Sequence, residues 1–176
     1  MKIIPTTSQT LLCILSVLWA GTLAADFKAY LPSRTTQQLW IVQASENRNQ
    51  LSLAVDEKID LGFIPATIVA HPDDPLLYVS TNVGDEGNSP AALVTLKSDG
   101  SYKSHTPLTL DHGYAYLSLD RNQRFLLGAD YRGGHIGVYP LDEQGNPGSR
   151  IAFLDEGRNA AHAVLPSPEN GFVYIP

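Results

Sequence analysis

The chain has 176 residues, of which 43% are hydrophobic and 17% are charged, and it contains 14 glycines and 12 prolines. This composition is typical of a globular, turn-rich protein and excludes a disordered one. The net charge is −6 and no run of basic residues interrupts it, which argues against nucleic acid as a partner.

The first 25 residues have the layout of a secretory signal peptide. Lys2 gives a weakly positive start, the apolar run LLCILSVLW follows, and small residues (AGTLAA) end the segment. The apolar run is short for a membrane span, so we predict cleavage after Ala24 or Ala25 and a periplasmic or secreted chain that is not held in a membrane. An uncleaved N-terminal anchor is the alternative. Cys13 lies within the apolar run, so the mature chain has no cysteine.

Three stretches after the signal repeat one pattern, a β-patterned segment followed by a polar turn and an apolar strand. They read ATIVAHPDDPLLYVSTN, AYLSLDRNQRFLLGADY and HAVLPSPENGFVYIP. When they are aligned on Pro72, Arg121 and Pro168, the steps between them are 49 and 47 residues. A period of about 40–50 residues with several strands per unit is typical of β-propeller blades.

A further hairpin is predicted within each unit. The apolar runs LWIVQA, ALVTL and IGVYPL are each followed by a polar turn and another strand. Asp99-Gly100 and Gly145-Asn146 are typical hairpin dipeptides. No segment after the signal keeps a helical apolar period. We therefore predict an all-β fold, a β-propeller with four-stranded antiparallel blades, of which about three are present.

The number of blades leads to an expectation about the extent of the domain. Propellers close with about four to eight blades, so about three leave open, apolar sheet faces. We predict a signal peptide over residues 1–25 and a partial propeller over residues 26–176 that is incomplete at its C-terminus. Association of copies into a ring is the alternative, and the sequence leaves the oligomeric state open.

The same alignment singles out one histidine. Ala66, Ala115 and His162 share one position, five residues before the leading residue of the turn. Starts of innermost strands are expected to face the central channel, where two alanines leave open space beside an imidazole. His162 is therefore the candidate general acid or base. A packed histidine that is hydrogen-bonded to the backbone is the competing interpretation.

The other histidines are weaker candidates. We predict mostly structural or surface roles for His71, His105, His112 and His135, although His112 could border the channel. No pair of histidines has helical ligand spacing and no cysteine is available, so we predict no metal. The acidic loop NVGDEGNSP lacks the full ligand ladder of a calcium loop and is expected to be solvated.

The segment from Tyr116 to Gly148, YLSLDRNQRFLLGADYRGGHIGVYPLDEQGNPG, resembles the seven-bladed β-propeller lactonases, the group that contains the propeller-type 6-phosphogluconolactonases. The segment from His162 to Pro176 is similar to the family's histidine-bearing strand, and LYVSTN is similar to a repeat of surface-layer propellers. The resemblance covers nearly all of the mature chain but only about three of the expected seven blades. Ala115-Tyr116 and Asp130 depart from the family's usual pattern, which leaves the substrate open.

The resemblance implies hydrolysis of a small-molecule sugar lactone by histidine-assisted attack of water, without metal or organic cofactor. It assigns the catalytic role to His162. The family's arginines and glutamate would lie beyond Pro176, so the 176-residue chain alone is expected to be inactive. Arg132 is expected near the wrong end of its blade for a role in the site. A non-catalytic extracytoplasmic binding or surface module and a carboxymuconate-cyclase relative are the alternatives.

Overall fold

The computed structural model describes residues 26–47, 50–84, 86–155, 157 and 160–176. The predicted signal peptide lies outside these residues. Within them every regular element is a β-strand, which confirms the all-β prediction. The described part of the chain contains no helix with the length and apolarity needed to cross a membrane.

The strands follow one another in chain order through the described residues. They are β1 (Asp26–Pro32), β2 (Gln38–Asn47), β3 (Gln50–Asp60), β4 (Thr67–Ala70), β5 (Leu76–Ser80), β6 (Ser89–Leu96), β7 (Tyr102–Leu110), β8 (Tyr116–Leu119), β9 (Phe125–Asp130), β10 (His135–Pro140), β11 (Ala152–Asp155), β12 (Leu165–Pro166) and β13 (Val173–Tyr174).

Each sheet is a simple meander of strands that are consecutive in the sequence. β4–β7 and β8–β11 form two four-stranded sheets, β1–β3 form a three-stranded sheet, and β12 and β13 pair as a short hairpin. All of these pairs are antiparallel. The four-stranded meander confirms the predicted propeller blade. β1 was not predicted, because its short apolar alternation follows directly on the signal segment.

Both faces of the central sheets are buried against neighbouring sheets. In β5, Leu77 and Val79 pack in a hydrophobic cluster with the β1–β3 sheet, whereas Tyr78 packs in a second cluster with the β8–β11 sheet. In β9, Leu126 belongs to this second cluster and Leu127 to a cluster that reaches the last hairpin. Successive side chains point to opposite faces of a strand. The strands therefore read as continuous apolar runs because each face has its own neighbour.

Large apolar side chains are exposed at the two ends of this stack of sheets. Leu51 and Leu53 on β3 are 60% and 64% exposed, and Phe172 before β13 is 72% exposed. Large apolar side chains with this much exposure are normally covered by another part of a protein or by a partner.

A hydrogen-bond acceptor at one repeat position holds the three equivalent turns. Nδ1 of His71 accepts the backbone N–H groups two and three residues later, at 3.3 and 2.8 Å. The carboxylate of Asp120 accepts those two, four and five residues later, at 2.6–3.2 Å. Oγ of Ser167 accepts those four and five residues later, at 3.1 and 3.2 Å. His71 therefore has a structural role, and in each of the three turns a side chain at this repeat position accepts hydrogen bonds from backbone N–H groups that follow it.

Asp120 also connects two successive units. Its carboxylate is buried and accepts a hydrogen bond from Nδ2 of Asn170 at 2.9 Å. The guanidinium of Arg121 donates to the carbonyl groups of Pro166 and Ser167, at 3.0 and 3.2 Å. Burial opposes ionisation of Asp120, but the hydrogen bonds from Asn170 and from backbone amides outweigh it, so the pKa of Asp120 lies below its usual value.

We predict that Asp120→Ala lowers the free energy of unfolding by about 2–3 kcal/mol at neutral pH, because several buried donors lose their charged acceptor. The unfolded-state pKa of Asp is about 3.9, and the folded-state value is lower, so the contribution is present above that pH and is lost as pH falls through the folded pKa. Urea unfolding of both proteins at several pH values measures this. The exposed turn carboxylate Asp99, changed to alanine, is the control and should show a smaller loss. A difference that stays constant into strong acid would contradict the prediction.

Candidate functional site

One cleft, of about 380 Å³, collects residues from the three larger sheets and from the segment before β12. We call it the histidine cleft. It is lined by Arg34, Ala66, Asn82, Ala115, Tyr131, Arg132 and His162. These residues occupy two repeat positions. One precedes the first strand of a four-stranded unit, and the other is the connection between its second and third strands, to which the β1–β2 connection of the three-stranded sheet corresponds.

The first position is the one that the sequence alignment predicted. Ala66 precedes β4 directly, Ala115 precedes β8 directly, and His162 lies shortly before β12. All three line the histidine cleft. The structure thus brings together residues that are far apart in the sequence, and it does so because the units are stacked in equivalent orientations.

The second position holds the residues that sequence reasoning missed. Arg34 lies between β1 and β2, Asn82 between β5 and β6, and Tyr131 with Arg132 between β9 and β10. The loops NVGDEGNSP and YRGG are equivalent connections in the repeat, and this equivalence was the available signal. It was not used because loop lengths differ and loop direction is invisible in a sequence.

The expectation that Arg132 lies at the wrong end of its blade is wrong. Tyr116 at the start of β8 pairs with Ala129 near the end of β9, and the N–H of Ala115 donates to the carbonyl of Ala129 at 2.9 Å. In an antiparallel pair the end of one strand stands beside the start of the other. The β9–β10 turn is therefore at the same end of the sheet as Ala115, and Arg132 reaches the cleft.

His162 is exposed to the cleft and has an accessible imidazole. Its ring meets the ring of Tyr131 edge-to-face, with 5.3 Å between the centroids and 86° between the planes. Within the described residues, neither ring nitrogen makes a hydrogen bond; only its backbone N–H does, to the carbonyl of Pro176 at 3.3 Å. The structure therefore does not have the packed, backbone-bonded side chain of the competing interpretation.

The segment before His162 is fastened to the turn that carries Tyr131. The N–H of Ala160 donates to the carbonyl of Tyr131 at 2.7 Å. Ala160 has a φ of 104°, a conformation that residues with a Cβ rarely adopt. Such backbone strain is common beside functional sites, where the surrounding contacts impose it. Ala161, which is buried, anchors the same segment in the core.

The histidine cleft is basic on an acidic chain. Two arginines, Arg34 and Arg132, stand with His162 in its lining, and none of the described lining residues carries a carboxylate. The chain as a whole has a net charge of −6. A local excess of cations in a concave site attracts anionic groups and anionic transition states.

We predict that diethyl pyrocarbonate, which acylates accessible neutral imidazoles, modifies His162 faster than it modifies His112. The reason is exposure, since His162 is open to the cleft whereas His112 is 7% exposed. Peptide mass spectrometry of the full chain after brief treatment at neutral pH measures both rates. Equal rates, or faster modification of His112, would contradict the placement of His162.

The chain matches a family of known proteins over most of its length. The family described as "Lactonase, 7-bladed beta-propeller" matches residues 20–176. A curated 6-phosphogluconolactonase from Xenorhabdus nematophila is 27% identical over 124 residues, which are 70% of this chain and 36% of that protein.

Solved structures share the fold. The Pseudomonas aeruginosa periplasmic gluconolactonase PpgL aligns with a TM-score of 0.65 at 16% identity, covering 86% of this chain and 47% of that one. A putative 6-phosphogluconolactonase from Bacteroides fragilis aligns with a TM-score of 0.66 at 14% identity, covering 84% and 44%. At these identities the likeness concerns the fold. The chain spans less than half the length of each of these relatives.

Proposed function

This chain belongs to the seven-bladed β-propeller lactonase family, and on that basis we propose that it supplies the general base of an enzyme that hydrolyses a sugar lactone. The observation that carries the proposal is the position of His162, whose free imidazole faces a cleft that also holds Arg34 and Arg132. A 6-phosphogluconolactonase and a gluconolactonase among the relatives support the substrate class.

The proposed chemistry needs one base and donors for an oxyanion. His162 takes a proton from water as the water oxygen attacks the lactone carbonyl, and the carbonyl oxygen becomes an oxyanion. The bond between the carbonyl carbon and the ring oxygen then breaks, and the imidazolium returns its proton to that ring oxygen. The product is a hydroxy acid, and the imidazole is regenerated.

The arginines give the cleft its second property, affinity for negative charge. Arg132 and Arg34 are placed to bind either the developing oxyanion or an anionic substituent of the sugar. Tyr131 orients the His162 ring by its edge-to-face contact. We propose that Ala66 and Ala115 leave the space that the sugar ring occupies.

We also propose that turnover requires a closed ring. The exposed apolar side chains of β3 and of Phe172 support this, because another blade would bury them. The remaining channel wall would complete the oxyanion site, so the 176-residue chain alone is expected to bind substrate without turning it over.

We propose that this activity takes place in the periplasm or outside the cell. The signal-like composition of the first 25 residues supports it, and one structural relative is described as periplasmic. A substrate found outside the cytoplasm would then be hydrolysed. An unphosphorylated lactone is for this reason a test substrate beside the phosphorylated one.

We predict that His162→Ala lowers kcat by about 100-fold or more in a closed seven-bladed ring that contains these blades, an effect typical of the loss of a general base. Lactone hydrolysis in a pH-stat, corrected for spontaneous opening, measures it. His105→Ala, which removes a histidine from β7 and away from the cleft, is the matched control and should keep kcat. Undiminished turnover of His162→Ala would exclude this residue as the base. Lactone binding without turnover by the wild-type ring would favour a non-catalytic binding module.

We predict a separate effect for Arg132→Met in the same closed seven-bladed ring. If the arginine binds an anionic substituent, the KM for a phosphorylated sugar lactone rises about tenfold or more, since a hydrogen bond to a charged group contributes about 1.5–3 kcal/mol. The KM for neutral gluconolactone should then change little. The comparison of both substrates in initial-rate assays measures the difference. An equal loss of kcat on both lactones would instead place Arg132 at the oxyanion.

A further inference from the structure

Three side chains with metal-ligand chemistry meet outside the histidine cleft. His112 lies in the connection between β7 and β8, Asp130 ends β9 and His135 begins β10. Asp130 and His135 are paired across the two strands, and His112 approaches from the connection. One ligand atom from each residue lies within 4.8 Å of the other two. We call this group the His-Asp-His cluster.

The distances in the cluster suit shared coordination better than hydrogen bonding. Oδ2 of Asp130 lies 3.6 Å from Nδ1 of His112 and 3.4 Å from Nδ1 of His135. Charge-assisted N–H···O hydrogen bonds are shorter, about 2.7–2.9 Å. Two ligands that are each about 2.0–2.1 Å from one tetrahedral zinc ion are about 3.4 Å apart. The carboxylate and the imidazoles are therefore at the spacing of ligands around an ion.

The turn after β9 fixes the carboxylate in this orientation. Oδ1 of Asp130 accepts the N–H groups of Arg132 and Gly133, at 2.9 and 3.0 Å. These bonds leave Oδ2 directed at the imidazoles. A Cβ on Gly133 would overlap Oδ2 of Asp130 and the ring of His135, so the absence of a side chain there keeps the cluster open.

One imidazole nitrogen that lies close to Asp130 is buried without a hydrogen-bond partner. Nδ1 of His135, 3.4 Å from Oδ2 of Asp130, has no partner among the described residues. A buried polar atom without a partner is unfavourable, and a metal ion accepts a bare nitrogen lone pair.

An aromatic side chain covers the two imidazoles of the cluster. The ring of Phe153 stacks on His112 with 5.6 Å between centroids and lies 4.9 Å from the ring of His135, so it shields both from water.

We propose that His112, Asp130 and His135 bind a divalent first-row transition-metal ion, with zinc as the best match, and that the ion rigidifies the β9–β10 turn. Two imidazoles and one carboxylate favour zinc over magnesium or calcium, which prefer oxygen ligands. The same turn carries Tyr131 and Arg132 into the histidine cleft. The metal acts on the cleft through this turn, as a structural ion. The sequence predicts no metal because no pair of histidines has helical ligand spacing. Spacing along the chain is uninformative, however, for ligands that come from separate strands.

The test uses the full chain with Cys13→Ser, because a thiolate would also bind zinc. Equilibrium dialysis of chelator-treated protein against zinc sulfate is expected to give one saturable equivalent per chain. Cobalt(II) binding to the same protein should give the visible absorption bands of a nitrogen- and oxygen-ligated ion. Zinc should also raise Tm, since a ligand that binds only the folded state stabilises it.

Variants locate the ion. His112→Asn and His135→Asn should each weaken zinc binding about 100-fold or more, because each variant removes a ligand. Gly133→Ala changes no ligand but fills the cluster and should also weaken binding. His105→Asn removes a histidine elsewhere and should leave affinity unchanged. Circular dichroism checks that each variant is folded.

A second readout reports on the turn itself. Trypsin should cleave after Arg132 more slowly when zinc is bound, with cleavage after Arg34 as the internal control, because cleavage needs local opening. The absence of saturable zinc uptake by the wild-type chain would overturn the proposal. Undiminished binding by the folded His112→Asn and His135→Asn variants would overturn it as well. Zinc uptake without protection at Arg132 would overturn the role assigned to the turn.

Discussion

The structure depends on the packing of apolar sheet faces against one another. A four-stranded sheet with apolar side chains on both faces is not stable alone in water, because both faces remain exposed. The β4–β7 sheet has a neighbour on each face. Leu77 and Tyr78, which are adjacent in β5, belong to two different hydrophobic clusters. Equivalent residues of the β8–β11 sheet pack in the same way. Each unit thus obtains its stability from its neighbours, as in other repeat architectures.

Stacking in equivalent orientations has a chemical consequence, because it brings equivalent positions of successive units to one axis. Positions that support the fold keep their function while their chemistry varies. An imidazole, a carboxylate and a hydroxyl at one such position each accept hydrogen bonds from backbone N–H groups of the turn that follows. Positions that face the axis are freed from this requirement. Ala66 and Ala115 there leave space, and His162 brings the reactive group.

The β9–β10 turn connects the two sites of the molecule. Its residues Tyr131 and Arg132 line the histidine cleft, and Asp130 and His135 at its two ends belong to the His-Asp-His cluster. A carboxylate at the end of β9 therefore shapes the turn through Oδ1 and faces two imidazoles through Oδ2. The six residues from Asp130 to His135 therefore contribute side chains to both the cleft and the cluster.

The sequence by itself determined the class of the fold, the repeat and the position of His162 in it. These features are local or periodic: strand pattern, turn dipeptides and spacing are all written along the chain. Only the tertiary structure decided which loops share a space with the histidine. Arg132 was placed wrongly, and Arg34, Asn82 and Tyr131 were missed, because the end of a blade at which a connection lies follows from strand pairing. The proximity of His112, Asp130 and His135 was likewise decided only by the tertiary structure. Their separations of 18 and 5 residues carry no ligand signature. Antiparallel pairing brings Asp130 and His135 together, and the path of the β7–β8 connection adds His112.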